Sequence, residues 1–117
     1  MLVFILAKNK SLIKMMELFF KHHQTKYYSL DSTKEAIFFI NDLKPGYLVI
    51  EDEMLEDKNF LEAFKLIPFI NEVKLIQLGP KHQGLLKTYH LMDLPLDMEQ
   101  LIHWWSKETK LHEKKKD

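Results

Sequence analysis

Short apolar runs that alternate with amphipathic stretches are the feature that most constrains how this chain can fold. The first run, Leu2–Leu6, has no polar interruption. Such a run is typical of a strand that is buried on both faces of a parallel sheet. The stretch after it places apolar residues at helical spacing, and Ser11 is the predicted N-cap. The residues that recur at this spacing are Leu12, Met15, Met16, Phe19 and Phe20.

The same strand-then-helix order recurs along the rest of the chain. Further strands are predicted at Tyr27–Leu30, Tyr47–Ile50, Val73–Leu78 and His90–Met92. Ser32 and Glu35 form a capping box before a second helix. A third helix is predicted over Asp57–Ile67, and Asp97 is the predicted N-cap of the last one. This alternation predicts a doubly wound α/β fold with helices on both faces of a parallel sheet.

The segment between the last two predicted strands is too short for a full crossover. Gly84 lowers the helix propensity of residues 81–88, so the fourth helix is expected to be shortened. The 117 residues leave room for one domain. We assign residues 1–109 to it and treat residues 110–117 as a charged tail that frays. That tail could also be the start of a linker to another domain.

Charge and composition narrow the function classes. The chain has 17 basic and 17 acidic residues, and every basic residue is lysine. A balanced charge argues against a nucleic-acid partner. The chain also lacks arginine, whose guanidinium group binds phosphate through two parallel hydrogen bonds. Without cysteine there is no disulfide or thiol nucleophile. No apolar run approaches the roughly 18 residues of a membrane span, so we expect a cytoplasmic protein and no membrane partner.

Residues at or just after the ends of the predicted strands are the candidate site. In a doubly wound sheet, ligands bind at the carboxyl ends of the strands. The residues at these ends are Lys8 and Asn9, Glu51 and Asp52, Leu78, and Leu94 with Pro95. Met54 stands three positions after Glu51.

This pattern resembles the receiver domains of response regulators over nearly the whole chain. The resemblance implies a flavodoxin-like (βα)5 fold with strand order 2-1-3-4-5. It aligns Glu51 with the phospho-accepting aspartate, because a Met follows that aspartate by three positions in receivers. It aligns Lys8 and Asn9 with the acidic pair that holds a divalent cation.

The aligned positions depart from the receiver pattern. Leu78 stands where receivers have a hydroxyl residue, Leu91 where they have an aromatic switch residue, and Leu94 where they have a lysine. The resemblance therefore indicates a degenerate pseudo-receiver that has no catalytic residues, no resident metal and no cofactor. The leucines are expected to make one side of the pocket around the acceptor position apolar.

Charge logic suggests a replacement for the missing cation. We expect the Lys8 ammonium to pair with Glu51, with further help to Asp52 or Asp93. The alternative is that Lys8 and Glu51 are solvated charges whose contact contributes about 0–1 kcal/mol. In a rival interpretation Asp52 is a displaced acceptor, although strand alternation points it away from Glu51.

The function predicted from these features is a phosphorylation-independent protein-interaction module in bacterial two-component signalling. The partner is another protein or a second copy of the chain, and no enzyme activity is expected. The predicted interaction surface is Tyr89, Trp104 and Lys107, with the alternative that Trp104 packs under residues 81–88 or the tail. Two other functions stay open: an atypical receiver phosphorylated or metal-responsive at Asp52, and the dimerisation domain of a longer transcription regulator.

Overall fold

Five short strands pair side by side in one fully parallel sheet. The computed structural model describes the backbone of residues 1–116 and the side chains of residues 1–110. The strands are β1 (Leu2–Leu6), β2 (Lys26–Leu30), β3 (Tyr47–Glu51), β4 (Lys74–Leu78) and β5 (His90–Met92). Their order in the sheet is β2-β1-β3-β4-β5. The predicted fold class and strand order are confirmed.

Within residues 1–116, four α-helices connect or follow the strands. They are α1 (Lys10–His22), α2 (Thr33–Leu43), α3 (Lys58–Lys65) and α4 (Met98–Lys116). The prediction of Ser11 as the first N-cap was wrong, because the side chain of Asn9 accepts the capping hydrogen bond from the Leu12 amide. Asp57, predicted as the first residue of the third helix, instead caps α3 by accepting from the amide of Phe60. Within the described chain, no helix combines the length and apolar character of a membrane span.

The last helix is longer than the predicted domain. Its backbone is helical to Lys116, well past residue 109. The predicted tail therefore begins inside α4. The side chains after Lys110 lie outside the described residues, so the expectation that the tail frays stays a prediction.

The two faces of the sheet carry separate cores, because successive side chains of a strand point to opposite faces. One core contains Phe4, Leu6, Leu48, Ile50 and Leu75, covered by α2 and α3. The other contains Val3, Ile5, Val49, Ile76 and Leu78, covered by α1 and α4. Burial of these strands on both sides explains their continuous apolar sequences.

The connection from β4 to β5 contains turns and no helix. A shortened helix was predicted in this connection, and the structure has none there. Three residues of this connection have positive φ: Gly79 (96°), His82 (61°) and Gly84 (92°). A right-handed helix cannot continue through such residues. The helical cover of the sheet is consequently missing beside α3.

Candidate functional site

The pairing of β1 with β3 brings the first two candidate segments together. Leu6 is opposite Ile50 in the parallel register. The loop after β1, which contains Lys8 and Asn9, therefore lies beside Glu51 at the carboxyl edge of the sheet. This is the edge at which doubly wound folds place their sites.

Glu51 is held by main-chain amides of that loop. Its side chain is 5% exposed, and Oε1 accepts hydrogen bonds from the amides of Lys8 (2.8 Å) and Asn9 (3.2 Å). Both amides precede the first turn of α1, where the helix dipole favours a negative charge. Hydrogen bonds to a carboxylate are stronger than those between neutral groups. Glu51 thus ties β3 to the start of α1.

The predicted ion pair between Lys8 and Glu51 was wrong. Among the described side chains, the Lys8 ammonium has no carboxylate of Glu51, Asp52 or Asp93 within 4.0 Å. The main-chain amide of Lys8 makes the contact instead, and it does so without ordering a long side chain or desolvating an ammonium. The solvated-charge alternative describes Lys8, which is exposed, but not Glu51, which is buried.

The Lys8 charge acts on a different carboxylate. The pKa of Asp57 is lowered, first by the hydrogen bond from Thr33, then by the Phe60 amide, and to a smaller extent by Lys8. The Thr33 hydroxyl donates to Asp57 at 2.5 Å. Asp57 therefore joins the start of α2 to the start of α3, with Lys8 nearby.

Asn9 has a structural task of its own. Its Oδ1 accepts the hydrogen bond from the Leu12 amide at 3.1 Å, which caps α1. The side-chain oxygen at this position is thereby engaged by the helix that it begins.

Asp52 directly follows β3 and contacts a different segment of the chain from Glu51. It is 5% exposed, and its Oδ2 accepts a hydrogen bond from the Lys81 amide at 3.1 Å. The carboxylate also packs against Gly79. Asp52 therefore holds down the first residues of the connection between β4 and β5.

The leucines at the remaining candidate positions have different surroundings. Leu78 is fully buried in the core under α1 and α4, whereas Leu91 is half-buried. Leu94 precedes a cis peptide bond to Pro95 and is exposed. The expected apolar side of the pocket is therefore buried at Leu78 and exposed to solvent at Leu94. Within residues 1–110, no three His, Asp or Glu side chains are arranged to hold a metal ion.

The predicted interaction surface is only partly free. Tyr89 and Lys107 are exposed, and Trp104 is half-buried. The ring of Trp104 stacks on His90 of β5, with centroids 5.1 Å apart and planes 7° from parallel. The alternative that Trp104 packs under residues 81–88 is thus replaced by packing on the edge strand. Burial, the largest cause, lowers the pKa of His90, and the charge of Glu108 opposes that shift.

A buried carboxylate on α4 was missed in the sequence. Glu108 accepts hydrogen bonds from the hydroxyls of Tyr47 (2.6 Å) and Tyr89 (2.5 Å), and the Lys74 ammonium lies 3.5 Å from it. We call these four residues the Glu108 cluster. Tyr47 and Lys74 face each other at the amino ends of β3 and β4, so the cluster lies at the edge opposite Glu51.

One sequence signal could have indicated this cluster. Glu108 continues the buried stripe of Leu101 and Trp105 at i, i+4 and i+7, so its side chain faces the sheet. Burial raises the pKa of Glu108, but the two tyrosine hydroxyls and Lys74 outweigh it and leave the pKa below its usual value. Glu108 in turn raises the pKa of Tyr89 to about 12, together with burial.

Comparison with known proteins shows the fold. No family model and no curated protein matches the chain. Among solved structures, the chemotaxis response regulator CheY4 of Vibrio cholerae is 11% identical, with TM-score 0.76 over 91% of this chain and 96% of that one. The N-terminal domain of a response regulator/sensory box/GGDEF protein from Carboxydothermus hydrogenoformans is 14% identical, with TM-score 0.75 over 100% of both chains.

A third similar structure contains a protein partner. It is the receiver domain of Ssk1 in complex with the histidine phosphotransfer protein Ypd1 from Saccharomyces cerevisiae. The match has 12% identity and TM-score 0.69, and it covers 86% of this chain and 83% of that chain. The fold predicted from the resemblance, that of receiver domains, is confirmed.

Proposed function

We propose that this chain, which has the receiver fold, is a phosphorylation-independent protein-interaction module in bacterial two-component signalling and catalyses no reaction. The observation that carries the proposal is the state of Glu51. Its Oε1 at the acceptor position already accepts two hydrogen bonds from the loop after β1. The carboxylate that would have to receive a phosphoryl group is thus part of the structural framework.

Charge at the neighbouring positions supports the same proposal. Transfer of a phosphoryl group to a carboxylate brings negative charges together, which a bound cation normally offsets. Here Lys8 adds a positive charge that repels a cation, and the Asn9 oxygen caps α1. Glu51 extends one methylene farther than aspartate and accepts hydrogen bonds from the two amides just before α1, which favours one fixed state of the loop.

The proposed role is therefore binding of another protein in the cytoplasm. Tyr89 and Lys107 are exposed and Trp104 is half-buried, and aromatic residues are frequent in binding hot spots. The Ssk1 receiver, which shares this fold, binds a protein partner in its solved complex.

Amide NMR spectra with magnesium and beryllofluoride, a phosphoryl mimic, test phosphorylation independence. We expect no saturable shifts at Asn9, Glu51 or Asp52. A variant with Lys8→Asp, Asn9→Asp and Glu51→Asp restores the receiver-type acids and is the positive control, provided that its spectrum shows a folded chain. Saturable shifts in the native chain that spread from Asp52 to Trp104, and that Asp52→Asn removes, would overturn the proposal in favour of an atypical receiver.

A further inference from the structure

The connection from β4 to β5 forms no helix, and this leaves a groove beside α3. Parallel strands are usually joined by a crossover helix that covers the sheet. Here the connection of residues 79–89 consists of turns. The groove has a volume of about 700 Å³ and lies between the end of α3, the start of β4 and this connection. That volume is large enough for several side chains of a ligand.

The floor of the groove is apolar. It is formed by Phe64, Ile70, Val73, Leu75 and Leu86. These residues belong to, or pack on, the core under α2 and α3. Leu85, at the side of the groove, is 41% exposed, and Leu66, the C-cap residue of α3, is 80% exposed. Exposed leucines beside a core-lined groove are typical of binding surfaces for apolar side chains.

The rim of the groove is basic. Lys65, Lys74 and Lys87 line it, against a single acid, Glu72. Lys74 is engaged by Glu108. Lys65 and Lys87 are exposed, and neither has a carboxylate partner within 4.0 Å among the described side chains. This local positive excess occurs on a chain whose formal net charge is zero.

We propose that the groove binds an amphipathic α-helix of a partner protein, with acidic residues flanking its apolar stripe. The inference rests on the proposed interaction role and names its partner class. A helix suits the site because apolar residues at i, i+3 or i+4, and i+7 enter such a groove together. Acidic residues on both sides of that stripe would meet Lys65 and Lys87, and opposite charges at the rim speed association and select the partner.

The probe is a synthetic helical peptide with leucines at i, i+4 and i+7 and glutamates beside them, titrated into the full chain by NMR. Its counterpart has lysines in place of the glutamates. We expect the acidic peptide to cause saturable shifts at Leu75, Leu85 and Lys87, and the basic peptide to cause none. The double variant Lys65→Glu with Lys87→Glu should weaken binding by about tenfold or more. Lys14→Glu, an exposed lysine on α1, is the matched control and should change nothing.

A second pair of variants tests the apolar part. Leu85→Ser should weaken binding of the acidic peptide, and Leu18→Ser, at an exposed leucine on α1, should not. Equal shifts from both peptides, shifts that map elsewhere, or no saturation would overturn the proposal. If decanoate saturates the groove and the peptide does not, the site takes a small anionic amphiphile instead. None of these results depends on the response to beryllofluoride, so the proposed function is tested separately.

Discussion

The carboxylate of Asp52 fills the space in which a Cβ of residue 79 would stand. A Cβ built on Gly79 would collide with Oδ2 and Cγ of that carboxyl group and would stand 3.0 Å from its Oδ1. The same carboxylate accepts the Lys81 amide. Gly79 also has a φ of 96°, a conformation that residues with a side chain rarely adopt. Asp52 and Gly79 together shape the turn that starts the connection from β4 to β5.

This contact predicts a large effect of Gly79→Ala. We expect it to lower the free energy of unfolding by about 2–4 kcal/mol, because backbone strain and the clash with Asp52 act together. Urea denaturation measures the loss. Gly84→Ala is the matched control, since Gly84 has a φ of 92° and no neighbouring atom within 4 Å of a built Cβ. Equal losses in the two variants would show that Asp52 exerts no steric constraint.

The amide contacts of Glu51 predict graded losses of stability. Glu51→Ala leaves the amides of Lys8 and Asn9 without this partner, and we expect a loss of about 2–3 kcal/mol. Glu51→Gln keeps an acceptor oxygen without the charge, so a smaller loss of about 1 kcal/mol is expected. Urea denaturation gives the values, and hydrogen exchange of the Lys8 amide reports the local contact. Glu53→Ala, at a neighbouring exposed residue, is the control. If it is destabilised as much as Glu51→Ala, the amide contacts of Glu51 do not account for the loss.

The Glu108 cluster predicts a loss of stability in acid. The pKa of Glu108 in the folded chain is below its ordinary value of 4.5. The unfolded chain therefore binds the proton more readily, so this contribution is present above pH 4.5 and disappears as the pH falls through the folded pKa. We expect the stability difference between the native chain and Glu108→Gln to shrink over this range in urea melts. A difference that stays constant or grows toward low pH would contradict the proposed ionisation.

Tyr89 predicts a second loss at high pH. Its pKa is raised from 10.0 to about 12, because it donates to Glu108 and is partly buried beside that charge. A raised pKa contributes stability that is complete below pH 10.0 and is lost as the pH rises through about 12. We expect Tyr89→Phe to be about 1–2 kcal/mol less stable at neutral pH, with the difference vanishing in alkali. Tyrosinate absorbance, recorded against pH, locates the ionisation. If the native spectrum minus the Tyr89→Phe spectrum contains no ionisation near pH 12, the assignment is refuted.

The elements of the fold could be predicted because their signals are local. The period of apolar residues separates Leu2–Leu6 from the helix after it, and Asp97 marks the start of the last helix by its capping chemistry. The cap at Asn9 was misplaced at Ser11 because both residue types cap helices, and only the backbone geometry selects between them. The loss of helix between β4 and β5 was foreseen at Gly84 but was completed by positive φ at His82, which no propensity indicates.

By itself, the sequence determined the alternation of strands and helices, and the residue types that stand at each strand end. Only the tertiary structure decided what those residues do. Glu51 contacts Lys8 across 43 positions of sequence, and Tyr47 contacts Glu108 across 61. Whether a carboxylate meets an ammonium or a main-chain amide depends on strand register and loop geometry. Those are set by burial and hydrogen bonding over the whole sheet, because a local pattern specifies which face a side chain occupies but not its partner.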